Sequence, residues 1–311
     1  MGAVLDAPSL ILATEVWVPG PGGDVLLRTD GLYGPLKPFE AAADEHGFAA
    51  GEGLPGRAWR EGRPILLTDL SDAAFLRTEA AGEAGLAAAA AIPVFAGTTL
   101  KGVLVLFCGR DDTHVGALEV WRGRGDAMTL DAGFYGAAHA FREVSEATSF
   151  QRGQGLPGGV WGAGAPMLMR DLGASAGFVR SASAREVGLT TGLGIPVATP
   201  SGDPYVFTIL SGRATPIARR FELWDATPAR VGRPAAAILA DGLCDTEGPL
   251  WGRERQLGPW QGPVGRALAT GAPVAEVNPA GPSAGAGRYA GMVALPLHTH
   301  GEVARVVAWY F

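Results

Sequence analysis

At 311 residues, with 47% hydrophobic side chains and a net charge of −6, the chain can build more than one core. It is too acidic for a nonspecific grip on nucleic acid or an anionic membrane. Two cysteines make no disulfide framework, and no apolar run approaches the roughly 18 residues of a membrane span. The opening Met-Gly-Ala-Val-Leu-Asp lacks the basic region of a signal peptide, and Asp6 stands where a myristoylation motif takes Ser or Thr. A soluble, cytoplasmic protein is expected, and the heavy use of Ala, Gly and Arg points to a bacterial source. Glycine (47) and proline (23) recur between apolar runs, which is the pattern of many short strands and turns.

The chain begins its pattern with Thr14-Glu-Val-Trp-Val, a short strand, then a glycine-rich turn at Gly20 to Gly23 and a second strand at Val25 to Arg28. The same opening returns as Leu118-Glu-Val-Trp and Phe221-Glu-Leu-Trp, so that Trp17, Trp121 and Trp224 are spaced by 104 and 103 residues. Self-similarity at a fixed period is the mark of a repeated structural unit. Asp30-Gly-Leu-Tyr is echoed by Asp131-Ala-Gly-Phe-Tyr and Asp241-Gly-Leu-Cys. Helical segments are expected from Phe39 to His46 and from Phe141 to Thr148.

The most strongly repeated stretch follows. Gly53-Leu-Pro-Gly-Arg-Ala-Trp-Arg-Glu-Gly-Arg-Pro returns as Gly155-Leu-Pro-Gly-Gly-Val-Trp-Gly-Ala-Gly-Ala-Pro, and a fainter copy reads Gly262-Pro-Val-Gly-Arg-Ala-Leu-Ala-Thr-Gly-Ala-Pro. Proline near the start and glycine at the end predict a helix of about two turns. A strand at Ile65 to Thr68 then closes on Asp69-Leu70, with Trp59 folded back over it. Next come Phe75-Leu-Arg-Thr and Phe178-Val-Arg-Ser, each leading into a short helix, then Ile92-Pro-Val and Ile195-Pro-Val. The third copy keeps Leu295-Pro-Leu but replaces the Phe-x-Arg segment with Pro279 to Gly287, where a helix is not expected. Each copy ends on a continuous apolar run, at Gly102 to Phe107, Tyr205 to Leu210 and Val303 to Trp309, read as a strand buried on both faces.

This succession resembles GAF domains, in particular those beside bacterial sensor histidine kinases. Copy two is also similar to the nitrate-sensing domain of certain plant transcription factors. The resemblance implies an α+β fold of three tandem GAF-like domains, at residues 1–110, 111–215 and 216–311, the third degenerate. Each would be an antiparallel sheet with short helices on one face. It also implies a small-molecule or anionic ligand between sheet and helices in the first two domains; the sequence carries no kinase, cyclase, phosphodiesterase or DNA-binding segment, so any output is expected to pass to a separate protein partner. The ligand-binding candidates are Trp59, Asp69, Phe75 and Arg77 in copy one and Trp161, Asp171, Phe178 and Arg180 in copy two. No cofactor is named by the sequence.

One departure from such domains is informative. They usually carry terminal helices over the second sheet face, but only Cys108 to Ala117 and Ser211 to Arg220 separate the copies here, too little for a packed helix and its turns. The three copies are therefore expected to cover one another's sheet faces, or to be covered by a partner.

No phosphate-cradling loop, nucleophile elbow or Cys/His cluster at metal spacing occurs, and no catalytic residue is assigned. His298-Thr-His300 is read either as a solvated hairpin or as a two-histidine face for a metal. Arg77 and Arg180 carry two readings: an internal bridge to a carboxylate such as Asp69 or Asp171, or a guanidinium that grips an anion from the pocket. The sequence thus supports a non-enzymatic sensory or regulatory protein, with a scaffold that binds no ligand as the competing reading and an enzyme as the third.

Overall fold

The computed structural model describes residues 9–44, 47–71, 75–109, 113–231, 234–250, 255–279 and 288–311. The first unit holds β1 (Ile11–Pro19), β2 (Val25–Leu32), α1 (Lys37–Asp44), β3 (Phe48–Ala49) and α2 (Gly53–Glu61). It continues with β4 (Ile65–Leu67), α3 (Thr78–Glu83), β5 (Leu86–Ala96) and β6 (Thr99–Gly109). The second repeats this order as β7 (Val115–Arg124), β8 (Ala127–Gly136), α4 (His139–Glu146), β9 (Ser149–Gln151) and α5 (Gly155–Ala163). It closes with β10 (Met167–Arg170), α6 (Ser181–Val187), β11 (Leu189–Val197) and β12 (Tyr205–Gly212). The third has β13 (Arg220–Thr227), β14 (Ala236–Cys244), β15 (Gly248–Pro249) and β16 (Gln256–Leu257). After these come α7 (Gly262–Thr270), β17 (Val274–Val277), β18 (Gly291–Thr299) and β19 (Glu302–Tyr310). The expected position His46 and the expected helix-free stretch at 280–287 lie outside the described residues.

The three antiparallel sheets share one strand order: β3-β2-β1-β6-β5-β4, β9-β8-β7-β12-β11-β10 and β15-β14-β13-β19-β18-β17, with β16 also pairing to β14. This is the α+β architecture expected. A bulge falls at the same place in all three second strands, opposite the steps from Val16 to Trp17, Val120 to Trp121 and Leu223 to Trp224. The first strands themselves run regularly past it, and their alternation places each tryptophan on the helical side of its sheet.

The repeated glycines have two backbone reasons. Gly53, Gly155 and Gly262 open their helices at φ of 55°, 58° and 67°, a region costly for any side chain. Three residues on, a Cβ at Gly56, Gly158 or Gly265 would lie 2.1, 2.1 and 2.3 Å from the carbonyl oxygen of Ala49, Gln151 and Gly258. The motif is how a helix is seated against the short strand or turn before it.

The last strands explain why their sequences do not alternate. On β6, Val103, Val105 and Phe107 join the core under the helices of unit one. The intervening Leu104, Leu106 and Cys108 face the other way, into a second core. That second core is common to all three units. It takes Ile92 and Leu104 from the first, Ile195 and Phe207 from the second, and Leu295 and Trp309 from the third. The sheet faces left bare by the missing terminal helices thus cover one another about a common axis.

The units follow one another head to tail. Arg63 of unit one bridges Asp131 of unit two at 3.2 Å, Arg170 of unit two bridges Asp241 of unit three at 2.5 Å, and Arg266 of unit three returns to Asp30 of unit one at 3.3 Å. A heterologous contact of this kind either runs on as a filament or closes. Here it closes after three. The echo read in the sequence is not strict, because Asp131 stands in the bulge of β8 and Ala132, not Asp131, takes the ladder position of Asp30 and Asp241.

Candidate functional site

A charged residue in the middle of a doubly buried strand needs partners, since an unpaired carboxylate in an apolar interior is prohibitively costly. Glu15, Glu119 and Glu222 are each fully buried and each carries that requirement. Glu15 accepts two hydrogen bonds from Arg77, both at 2.7 Å, one from Trp17 Nε1 at 2.9 Å and one from the Tyr33 hydroxyl at 2.9 Å. Glu119 accepts from Arg180 at 2.5 and 3.0 Å, from Trp121 Nε1 at 2.9 Å, from Thr208 at 2.9 Å and from Tyr135 at 3.2 Å. The second bridge is extended by Ser145, which accepts from Arg180 at 2.5 Å.

Aromatic rings enclose both guanidinium groups. Arg77 lies 4.5 Å above Phe39 and 5.7 Å from Phe75, while Arg180 lies 4.6 Å above Phe141 and 5.3 Å from Phe178. Ring faces attract a cation, so the wall that excludes water also stabilises the charge it encloses. Burial alone would raise the Glu119 carboxyl, but the Arg180 charge and the bonds from Arg180, Trp121 and Thr208 hold it below the usual carboxylate range. Burial and the adjacent glutamate push the Tyr33 and Tyr135 hydroxyls well above the ordinary tyrosine value.

Unit three makes the same network from a different place. Glu222 accepts from Trp224 Nε1 at 3.0 Å, from Tyr310 at 2.7 Å and from Arg220 Nε at 2.7 Å. Arg220 is two residues earlier on the same strand, where the other units have Ala13 and Ala117. Its ladder partner is Tyr310, in the place of Phe107 and Leu210.

Of the sequence candidates, the structure brings Phe75 to Arg77 and Phe178 to Arg180, with Glu15 and Glu119 as the carboxylates. Asp69 and Asp171 are exposed. Asp69 accepts the Ser71 amide at 2.8 Å, and Asp171 has a left-handed φ of 49°. Trp59 and Trp161 are half-buried against the cores of their units, and Trp161 lies beneath Arg152 at 5.7 Å. The three glutamates and Arg220 went unassigned in the sequence, although Glu-x-Trp in each first strand was there to find them. His298 is on β18, whereas His300 is in the turn beyond it at φ 53°, so the pair forms no common strand face.

Three cavities lie between units. One of about 310 Å³ is on the common axis, where Pro93, Pro196 and Pro296 meet. One of about 320 Å³ separates units three and one, walled by Leu12, Tyr33, Val277 and Phe311. The third, about 730 Å³ between units two and three, is the most polar of them, with Arg170, Arg213, Arg219, Asp171 and Asp245 around it. Cys244 reaches this third cleft. Burial would raise its thiol, but hydrogen bonds from Thr246, Tyr289 and nearby backbone amides bring it below the ordinary value. Trp161 is the sequence candidate that lines the axial cavity.

A GAF-domain model matches residues 16–120. The match begins on β1 and runs into β7 of the second unit. Among solved structures, the GAF domain of A. aeolicus nlh2 in an inactive state is similar at 21% identity and a TM-score of 0.26, over 32% of this chain and 58% of that one. A GAF domain/HD domain protein from Geobacter sulfurreducens matches at 13% identity and 0.27, over 32% of this chain and 65% of its own. The NreA protein of Staphylococcus aureus, mutated in its nitrate binding site, matches at 15% and 0.27, over 34% and 80%. This chain thus spans less than two thirds of the first two. No curated protein matches it.

Among the described residues no helix is long and apolar enough to cross a membrane.

Proposed function

We propose that this chain is a bacterial sensory or regulatory protein that has no catalysis of its own, reads a small molecule between its units and passes the result to a protein partner. The observation that carries this reading is the use of both terminal nitrogens of Arg77 and Arg180 by buried glutamates. Where a GAF-like unit would hold a ligand between sheet and helices, these units hold an ion pair under aromatic rings. Arg77 and Arg180 are accordingly assigned to the fold, and ligand binding to the cavities that the ring of units encloses. The GAF match supports the regulatory class.

Native mass spectrometry of the protein from its own source, beside a denatured control, tests this. A small molecule released on denaturation and retained by Arg77→Lys is the expected result. A bare mass, or a ligand that Arg77→Lys alone abolishes, contradicts it.

A second reading, a scaffold that acts by binding protein, is favoured by Trp260. This residue holds a left-handed φ of 68°, where the other units have Gly51 at 96° and Gly153 at 87°, and is 69% exposed. A strained backbone under an exposed tryptophan costs stability with little packing in return and suits a docking anchor. Trp260→Gly should raise the melting temperature. Under the scaffold reading it also abolishes a stoichiometric complex.

A further inference from the structure

The axial cavity owes its existence to short edge strands. β4, β10 and β17 pair with residues 89–91, 191–194 and 291–294 of β5, β11 and β18 and then end. Pro93, Pro196 and Pro296 come just beyond, on an edge where proline sacrifices no ladder bond. With no fourth layer over them, the three strand ends surround an open volume of about 310 Å³.

The lining decides what could fill it. Phe95, Trp161 and Tyr205 supply aromatic surface, and the remainder of the wall is mainly aliphatic. The charged residues on it are already paired, Asp203 with Arg122 at 3.5 Å and Arg305 with Asp225 at 3.1 Å. His298 also lines it and is held neutral, because burial, and then the nearby Lys101 charge, bring its imidazole down to about 4. An ionic ligand would therefore enter without a counter-charge. Two wall residues keep hydrogen-bonding capacity in reserve. The Tyr205 hydroxyl and His298 Nδ1 are buried with no hydrogen-bond partner among the described residues. An apolar wall with a few polar groups is the usual make-up of a small-molecule site, and a cavity about half this size accepts a single benzene ring.

We propose that the axial cavity binds an uncharged aromatic or alicyclic molecule of about two rings carrying one hydrogen-bonding group. The inference rests on the reading that ligands are sensed between the units. A molecule there touches all three units at once, so its binding tightens the closed ring.

N-phenylnaphthylamine, a neutral two-ring fluorophore with one N–H, is the probe, and anilinonaphthalene sulfonate is its charged counterpart. The expected result is saturable binding of the neutral dye at one per chain, about tenfold or more tighter than the sulfonate. Ala304→Phe on β19 and Ala198→Phe on the rim both narrow the cavity and should each weaken binding by about tenfold or more. Ala290→Phe, in the cavity between units three and one, should leave it unchanged. Melting scans of each variant come first, and the exposed Ala198 position carries the test if Ala304→Phe does not fold. Loss of binding in Ala290→Phe alone overturns the axial site while leaving inter-unit sensing intact. Absence of saturable binding, equal binding of the sulfonate, or indifference to all three variants overturns the axial site. The native mass measurement then decides separately whether any ligand is sensed.

Discussion

Units one and two take the cation for their buried glutamate from a loop about 60 residues away, and unit three takes it from two residues away on the same strand. The carboxylate, the tryptophan and the bulge on the strand beside them are common to all three; the source of the arginine is not. What the fold demands is therefore a guanidinium at the carboxylate. An arginine retained for a ligand would have no reason to be replaced in place by one from another element.

The largest expected effect tests whether the three arginines are equivalent. Arg77→Ala, Arg180→Ala and Arg220→Ala should each cost about 3–5 kcal/mol in denaturant unfolding, since each leaves a buried charge without its partner. A unit in which the loss is below about 1 kcal/mol would break the equivalence. A transplant sharpens it: Arg77→Leu combined with Ala13→Arg moves the cation of unit one to the place unit three uses. The double variant should recover about 1–2 kcal/mol relative to Arg77→Leu alone. No recovery would mean that Tyr310 and its surroundings are required for the strand arrangement.

Acid should act next. The Glu119 carboxyl is depressed in the folded state, so its contribution is present above the ordinary carboxylate value of 4.5 and is lost as pH falls through the lower folded value. His298 is depressed from 6.5 to about 4, so stability falls from pH 6.5 downward as the unfolded chain takes up a proton that the folded one refuses. The melting temperature should decline in two stages, and His298→Gln should flatten only the upper one. The smallest effect belongs to the seams. Arg63→Ala removes a partly exposed bridge to Asp131 and should cost less than about 1 kcal/mol, against several for the interior pairs.

The sequence made the three-unit plan legible because its signals are local. The glycines at 53 and 56 and their copies answer to φ and to a neighbouring carbonyl, both set within a few residues. The mutual covering of the sheets followed from linkers too short for a helix and strands apolar on both faces. The partner of Arg77 was not legible, because Asp69 is nearer in sequence and only the sheet register brings Glu15 beneath the helical layer. Arg220 was hidden for the opposite reason: it is adjacent to its glutamate and so did not register as a counterpart of a loop arginine. The Asp131 echo misled by one residue because Ala132 separates it from Gly133, where Asp30 adjoins Gly31, and this puts Asp131 at the bulge position.

A double-mutant cycle between Glu119 and Arg180, using Glu119→Gln and Arg180→Leu with native mass recorded for each protein, tests the central claim most directly. Each single change should cost several kcal/mol, the double variant about 2 kcal/mol or more less than their sum, and any bound small molecule should remain on every variant that folds. Additive costs below about 1 kcal/mol, with a bound molecule lost only when Arg180 is changed, would show instead that the arginine belongs to a ligand.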